Sequence, residues 1–348
     1  MEKKALRPGE LVRVRTAREI LDTLDGDGAV EGIPFMPEMI RYIDKQLHVS
    51  NRVEKICWYT SESCSRHLPS TVLLEDLRCD GKAHGGCQAE CRIYWKDAWV
   101  ERVEAGTPER HSDEASIAEL RELVNQKTRA VGSSEHGDAE VFRCQITESV
   151  KSSTPLAVRD WSQYTAEVRN GNVGIARFLR VAVSMTILRF AHRLGRNPGM
   201  PKPAGAGRVD GEKLALQAGD VVEVRSLKEI GATLDDNLKH RGLSFSEEMS
   251  PACGKRFRVK NRVERLIDER SGKMIELKND CIVLDGFICK GDRSPGALFC
   301  PREAYPLFRE AWLRRVDDRG AVAQDAADAE TARRAEDDVE LQHAHSRQ

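Results

Sequence analysis

The chain has 348 residues, which is enough for two domains that each bury a core of their own. Its 55 basic and 56 acidic side chains nearly cancel, which excludes recruitment to nucleic acid or membrane by bulk charge. The polar start Met1–Lys4 lacks the apolar stretch of roughly 7–15 residues found in secretory leaders, which predicts a cytoplasmic protein. In a reducing compartment, its ten cysteines indicate metal ligands or free thiols before disulfides.

An internal repeat organises the chain. Over the first 50 aligned positions, 20 residues are identical without a gap. The paired segments are 6–55 with 216–265, 72–81 with 282–291 and, after a three-residue insertion in the second copy, 87–103 with 300–316. We therefore predict four units: a first module at 6–103, a helical connecting region at 104–209, a second module at 216–316 and a disordered tail at 317–348.

Each module is predicted to begin with a strand and a short helix. Residues 10–15 alternate apolar and polar side chains after a turn, which is typical of a half-buried strand. Thr16 and Glu19 then form a capping box, which predicts the start of a short helix. The second copy keeps this box as Ser226 and Glu229, so the same two elements are expected there.

Short strands dominate the rest of each module. Further strand-like segments lie at 45–49, 51–56 and 71–77 of the first copy. A series of short strands after a glycine-led first strand favours a small curled sheet, so we predict two SH3-like small barrels, mainly β with α-helical insertions. The matched residues Trp99 and Trp312 are predicted to fill the cores, because a Trp ring supplies a large apolar area.

The strongest chemical signal is a cluster of three cysteines and one histidine in the first module. Within thirteen residues the sequence places Cys79, His84, Cys87 and Cys91, separated by glycines that permit a tight turn. The set is typical of a closed zinc site, with Cys79 at a strand end and Cys87 and Cys91 on one face of a following helix. Two alternatives stay open: unliganded core thiols beside a structural histidine, and an iron–sulfur or open metal centre.

The second module keeps only part of this cluster. Cys289 and Cys300 correspond to its first two cysteines, whereas Ala304 replaces the third and the altered loop contains no histidine. Cys253 and Cys281 are cysteines that the first copy lacks. They lead to the prediction of a possible second metal site built from the four cysteines of this module, with core thiols as the alternative.

Three other cysteines lie outside both sets. Cys57 and Cys64 belong to the first module and can substitute for a ligand of the first site. Cys144 stands alone in the connecting region, and we predict that it is a structural residue, because free cysteine packs as a small apolar side chain.

The connecting region is basic and partly apolar. Helices are predicted from Ser116 to Gln126 and within 173–191. Between Arg169 and Val209 there is no acidic residue, and the local charge is +8. The candidate surface for an anionic membrane or an acidic partner consists of Arg177, Arg180, Arg189, Arg193 and Arg196.

Residues 173–191 allow two interpretations. A transmembrane span is excluded, because each of the two central arginines costs about 2.5–3.5 kcal/mol on insertion scales. The leading interpretation is a helix packed between the modules with its arginines at the rim. The alternative is peripheral contact with an anionic membrane interface, although the arginines do not segregate to one face of the helix.

Basic side chains also lie in and between the first predicted strands of the first module. They are Arg13, Arg15, Arg41, Lys45, Arg52 and Lys55. Only Trp58 and Tyr59 stand nearby to stack on bases, so we interpret these residues as a solvated strand face and predict no nucleic-acid partner.

Six segments carry a likeness to known sequences. They are 219–230 (GDVVEVRSLKEI), 253–259 (CGKRFRV), 279–286 (NDCIVLDG), 298–302 (LFCPR), 78–91 (RCDGKAHGGCQAEC) and 142–145 (FRCQ). In these segments the chain resembles an uncharacterised bacterial family with a duplicated, cysteine-containing SH3-like module. The resemblance implies the fold and the cysteine pattern, and it implies no activity. The chain departs from it at Ile43, where the module usually has Cys.

These patterns favour a non-catalytic accessory or binding protein with a protein partner and a structural metal, zinc first, in the first module. The sequence contains no nucleophile elbow, P-loop, dinucleotide fingerprint or His-Glu-x-x-His helix, so an enzyme is not the leading prediction. The competing hypotheses are a metalloenzyme or redox protein centred on residues 79–91, and an adaptor that binds an anionic membrane surface or an acidic partner through the arginines of 177–196.

Overall fold

The computed structural model describes residues 4–58, 65–130, 140–195, 199–203 and 213–316. The tail predicted at 317–348 lies outside them, as do Cys64 and Arg196. Within the described ranges the protein is built mainly of β-sheet with a few helices, as predicted. The first module carries most of a six-stranded sheet, and the second module carries a four-stranded one.

The strands and helices follow the repeat. In the first module they are β1 (Leu11–Val14), α1 (Ala17–Leu21), β2 (Ala29–Val30), β3 (Ile33–Pro34), β4 (Gln46–Cys57), β5 (Ser65–Arg78), β6 (Arg92–Lys96) and β7 (Val100–Arg102). The connecting region contributes α2 (Glu114–Lys127), β8 (Arg129–Ala130), β9 (Val141–Phe142), α3 (Gln145–Ser149), β10 (Thr154–Pro155), α4 (Ser162–Arg169) and α5 (Ile175–Arg193). The second module contains β11 (Val221–Val224), α6 (Leu227–Gly231), β12 (Lys239–His240), β13 (Leu243–Ser244), β14 (Arg256–Arg262), β15 (Arg265–Ile267), β16 (Met274–Glu276), β17 (Ile282–Leu284) and β18 (Leu313–Arg315).

The two modules share the register of their first strands. Val12 of β1 lies opposite Leu47 of β4, and 210 positions later Val222 of β11 lies opposite Phe257 of β14. Both capping boxes form as predicted, with the Thr16 and Ser226 side chains accepting hydrogen bonds from the backbone N–H three residues on. The sequence repeat therefore corresponds to a repeat of local structure and of strand pairing.

Neither module closes into a barrel within the described residues, so the predicted SH3-like closure is not found. The larger sheet runs β10-β5-β4-β1-β7, and β6 pairs with the later half of β5, on the same edge as β10; the smaller sheet runs β17-β14-β11-β18. In the first module a three-ten turn at 97–99 carries the chain from β6, beside β5, to β7, beside β1. Because β6 and β7 then pair with different neighbours and not with each other, the sheet stays open.

The two tryptophans fill the cores as predicted. Trp99 and Trp312 are both fully buried, and each meets a phenylalanine edge-on, Phe35 at 5.2 Å and Phe245 at 5.6 Å between ring centroids. The Trp312 indole N–H donates to the Thr233 hydroxyl at 3.0 Å. These matched anchors lie where the three-ten turns bring the last strand of each module back to the first.

The connecting region packs against the first module through α2 and α3. The N-cap of helix α2 lies three residues before the predicted start at Ser116, because the Asp113 carboxylate accepts from the Ser116 backbone N–H at 2.8 Å. On α3, the buried Gln145 side chain accepts from the backbone N–H of Tyr94 at 2.7 Å and donates to its carbonyl at 2.8 Å. A side-chain amide thus takes the place of a neighbouring strand beside β6.

Helix α5 packs on one side only, which corrects the prediction of a helix held between the modules. Phe178, Val181 and Met185 contact Leu298 and Phe299 of the second module and form a small apolar cluster. The opposite side of α5 is open to solvent. No helix in the ranges that the structure describes is long and apolar enough to cross a membrane.

Candidate metal centre

The loop at 79–91 begins where β5 ends and closes on itself. The Cys79 backbone N–H donates to the Cys91 carbonyl at 2.9 Å, so the two ends of the loop pair. Gly81 has φ +66°, and a Cβ there would collide with the Cys87 carbonyl oxygen. The predicted helix carrying Cys87 and Cys91 does not form, because residues 87–91 run irregularly and Glu90 has φ +45°. The two cysteines therefore do not share a helical face.

Three ligand-type side chains converge beneath this loop. The Glu38, Cys79 and His84 donor atoms all lie within 4.8 Å of one another, and this group could hold a metal ion. The His84 Nδ1 lies 2.8 Å from the Glu38 carboxylate, and the Cys79 Sγ lies 3.6 Å from the same oxygen. Glu38 and His84 are 6% and 1% exposed, so bulk water hardly reaches them.

Two polar atoms of this group have no hydrogen-bond partner in the described part of the chain. They are the Glu38 Oε2 and the His84 Nε2, and both are buried. A buried polar atom without a partner costs about 1–3 kcal/mol, so a cation that binds one of these atoms would offset a real cost. Burial alone would raise the pKa of Glu38, but the hydrogen bond and charge of His84, together with backbone hydrogen bonds from Glu38 and Ala83, outweigh it, and the pKa is lowered. Burial raises the pKa of the Cys79 thiol.

The glutamate of this group has an equivalent in the second module, but the histidine does not. Glu38 corresponds to Glu248, whose carboxylate accepts from the Arg293 and Ser294 backbone N–H groups at 2.6 and 2.8 Å. A buried glutamate therefore caps the equivalent loop in the second module without any histidine. Ser294 stands at the His84 position, so only the first loop presents an imidazole to the glutamate.

The other predicted ligands lie close by but outside the group of three. Cys91 and Cys144 pack against the same core as Cys79. Burial raises the pKa of Cys91 to about 12 and that of Cys144 to about 11, and neighbouring thiols add to both shifts. Cys144 was predicted to stand alone. It is the fourth thiol of this region, brought there by α3.

The loop also touches the second module. The Gln88 backbone N–H donates to the Arg265 carbonyl at 3.1 Å, and the Gln88 side-chain oxygen accepts from the Glu264 N–H at 2.7 Å. The Cys87 Sγ accepts from the Ile267 N–H at 3.4 Å. Cys87 thus lies at the boundary between the modules, and the loop joins the three-residue group on one side to β15 on the other.

The four cysteines of the second module are dispersed. Cys281 packs with Val263 and Val283, Cys300 belongs to another small cluster, and Cys253 borders the main core of the module. Cys289 is buried in its loop. None of them belongs to a group of three or more ligand-type side chains in the ranges that the structure describes.

One of these cysteines instead meets a cysteine of the first module. The Cys57 backbone N–H donates to the Cys300 Sγ at 3.1 Å, and both side chains are buried with Ala297. Arg302, which is also buried, donates to the Cys57 carbonyl at 3.1 Å and pairs with Glu269. Cys57 therefore lies in the contact between the modules, and the structure does not place it in the Glu38 group.

The basic strand residues do not form a solvated face. Arg13 is 4% exposed and pairs with Glu101, and Arg52 is 5% exposed and binds the Asp97 carboxylate at 2.7 Å. Lys55 is 1% exposed. Three of the six predicted basic residues are therefore buried, which corrects the prediction of a solvated face at these positions, whereas Arg41 and Lys45 are exposed.

No protein-family model, no curated protein sequence and no solved structure matches the chain. The family resemblance described above stays a prediction. Of the site residues, the sequence identified Cys79 and His84 and missed Glu38. A signal for Glu38 existed, because it is one of the identical positions of the repeat, at Glu248.

Proposed function

We propose that this protein is a non-catalytic accessory or binding protein in which a metal ion at Glu38, Cys79 and His84 holds the 79–91 loop against both modules. The observation that carries the proposal is the convergence of these three side chains within 4.8 Å, with Glu38 and His84 buried and Cys79 half-buried. The unpartnered Glu38 Oε2 and His84 Nε2 support it, since a cation satisfies such atoms. Sulfur, nitrogen and oxygen donors together favour zinc over hard cations such as magnesium.

The burial of the group favours a structural ion over a catalytic one. A catalytic zinc keeps a position for water or substrate, which requires a path from solvent. Here His84 and Glu38 are 1% and 6% exposed. In the loop above them, the Gln88 backbone N–H donates to the Arg265 carbonyl and the Cys87 Sγ accepts from the Ile267 N–H. An ion that fixes the loop therefore also fixes the module boundary.

Chelation tests this proposal through stability. We expect a strong chelator to lower the melting temperature of the full chain, because an ion bound only by the native state stabilises it by mass action. Cys79→Ser and His84→Gln should melt near the chelated wild type and respond little to chelator.

Cys253→Ser is the matched control, since Cys253 is also half-buried but lies in the second module outside the group. It should keep the chelator response of the wild type. A wild-type melting temperature that chelator and added zinc both leave unchanged would sink the proposal. A response that Cys253→Ser abolishes and His84→Gln retains would place the ion elsewhere.

A further inference from the structure

Helix α5 exposes a continuous apolar face, which we call the α5 outer face. Its six side chains are 57–69% exposed: Ile175, Leu179, Val183, Ile187, Phe190 and Leu194. In the described part of the chain the other exposed large apolar side chains are Trp161, at 67%, and Ile275, at 40%. Seven of these eight exposed residues therefore lie on α5, just after it or at the start of α4.

The face has the geometry of a second, unpartnered side of an amphipathic helix. At about 100° per residue, Leu179, Val183 and Phe190 project opposite to Val181, which is buried. From Ile175 to Leu194 the face is about 28 Å long at about 1.5 Å per residue. Exposed apolar patches of this extent on soluble domains mark interaction surfaces or aggregation liabilities.

Arginines flank the face on both sides. Arg180 projects on one flank, and Arg189 and Arg193 project on the other, and all three are exposed. None of the three forms an ion pair with a residue that the structure describes. Arg177 differs, because it binds the Asp292 carboxylate at 2.8 Å and points toward the second module. Arg189 and Arg193 border the apolar side chains on one flank. Arg180 borders them on the other, where it also lines a cavity with Glu248 and Asp292 of the second module.

The flanking charge limits what can cover the face. A second copy of the chain would bring its own Arg180, Arg189 and Arg193 to the same seam, and no acidic residue lies between 169 and 209 to pair with them. Like charges on both rims oppose such a dimer. The occupant must therefore be apolar at its centre and negative along both edges.

A lipid surface with anionic headgroups meets this requirement. Apolar side chains of an interfacial helix enter the boundary between headgroups and acyl chains, while flanking arginines reach the phosphates. Trp161 lies beside the same helix, in a groove that it lines with Met185 and Arg189. An exposed indole next to arginine, as Trp161 is, is a typical anchor at the membrane–water interface.

We propose that the α5 outer face docks this protein on anionic membrane surfaces, with α5 lying in the plane of the interface. Arg180, Arg189 and Arg193 bind headgroup phosphates, and Trp161 anchors the adjacent edge. The helix lies on the bilayer and does not cross it. This docking is independent of the proposed metal site, which lies in the first module beneath the 79–91 loop.

Vesicle sedimentation of the full chain tests the proposal. We expect binding to phosphatidylcholine vesicles that contain phosphatidylglycerol, little binding to pure phosphatidylcholine, and loss of binding as salt rises. Val183→Glu with Phe190→Glu should abolish binding, because it puts two carboxylates in the centre of the face. Arg189→Gln with Arg193→Gln should weaken the partition coefficient about 25-fold, at about fivefold per arginine near the surface.

The matched controls carry the same substitutions away from the face. Ile275→Glu adds a carboxylate at the exposed apolar residue on β16, and Arg121→Gln removes an exposed arginine from α2. Both should bind as the wild type does, and so should Cys79→Ser, which removes only a metal ligand. All replaced positions on α5 are exposed, so circular dichroism should confirm that each variant folds.

A second readout follows Trp161, the most exposed of the tryptophans that the structure describes. Lipids brominated in the acyl chain should quench the wild-type emission, and Trp161→Phe should remove the quenching. Absence of binding to anionic vesicles, or binding that Val183→Glu with Phe190→Glu leaves intact, would overturn the proposal. Concentration-dependent dimerisation that this double variant abolishes, without vesicle binding, would assign the face to a second copy instead.

Discussion

Glu167 on α4 makes the stability of this protein depend on pH in a way that a single substitution should remove. Its side chain is fully buried, and its Oε2 accepts from the Asn172 side chain at 2.7 Å. Its Oε1 has no hydrogen-bond partner among the described residues. Burial raises the pKa of Glu167 from 4.5 to about 7, although the nearby charge of Lys55 opposes the shift. Glu167→Gln keeps the shape of the side chain and removes the titration.

The sign and size of the effect follow from linkage. A carboxyl whose pKa is higher in the folded state binds its proton more tightly there, so its contribution is fully present below about pH 4.5 and is lost as the pH rises through about 7. The shift of 7 − 4.5 = 2.5 pKa units, at about 1.36 kcal/mol per unit, corresponds to about 3 kcal/mol. We expect the wild type to lose most of this between about pH 5 and pH 8, and Glu167→Gln to lose little of it.

Urea denaturation at the two pH values measures the difference directly. Titrating groups that do not interact with Glu167 contribute equally to wild type and variant, so the comparison isolates Glu167 and its neighbour Lys55. Glu122→Gln on α2 is the control, because Glu122 is exposed and should leave the wild-type pH dependence in place. If Glu167→Gln loses as much stability as the wild type between the two pH values, the argument from burial is wrong.

Two further substitutions test the fold, each beside a matched control. Gly81→Ala should cost at least about 2 kcal/mol of unfolding free energy, because φ at Gly81 is +66° and the new Cβ would meet the Cys87 carbonyl. In the control Gly26→Ala the new Cβ meets nothing within 4 Å, so the unfolding free energy measured by urea denaturation should change by no more than about 0.5 kcal/mol. Trp99→Ala should lower the unfolding free energy by about 3–5 kcal/mol in the same assay, because Trp99 is fully buried. Trp161 is exposed, so Trp161→Ala should lower it by less than about 0.5 kcal/mol. Equal losses would contradict the placement of Trp99 in the core.

Local patterns predicted local structure well. Alternation at 10–15 became β1, and the two capping boxes became the starts of α1 and α6, because both signals depend on neighbouring residues only. The predicted barrel closure is not found within the described residues, because closure depends on which edge strands meet, and that depends on the path of the chain through the turn at 97–99. The helix start was predicted at Ser116 and not at Asp113, because both are polar residues that cap helices and they lie three positions apart.

The candidate site shows the same limit. Cys79 and His84 were found because they lie five residues apart in one loop. Glu38 comes from a three-ten helix far earlier in the chain, and only tertiary packing brings it to His84. The helix predicted for Cys87 and Cys91 does not form, because the loop instead makes hydrogen bonds to β15 of the second module.

Helix α5 was predicted from the sequence, but the side on which it packs was not. The sequence alone could not say which of two apolar sides packs, since Val181 and Val183 are equally apolar and one is buried while the other is exposed. The arginines do not segregate to one face of the helix, as the sequence indicated. Once that side is fixed, Arg180 and Arg189 fall on opposite flanks of the exposed one.

Cobalt binding tests the central claim, a metal held by Glu38, Cys79 and His84, most directly. The full chain, stripped of metal and titrated with Co²⁺, should bind one ion and develop a thiolate-to-cobalt charge-transfer band that zinc abolishes. Cys79→Ser should lose the band, and Cys253→Ser should keep it. Failure to bind cobalt, or a band that survives in Cys79→Ser, would contradict the account.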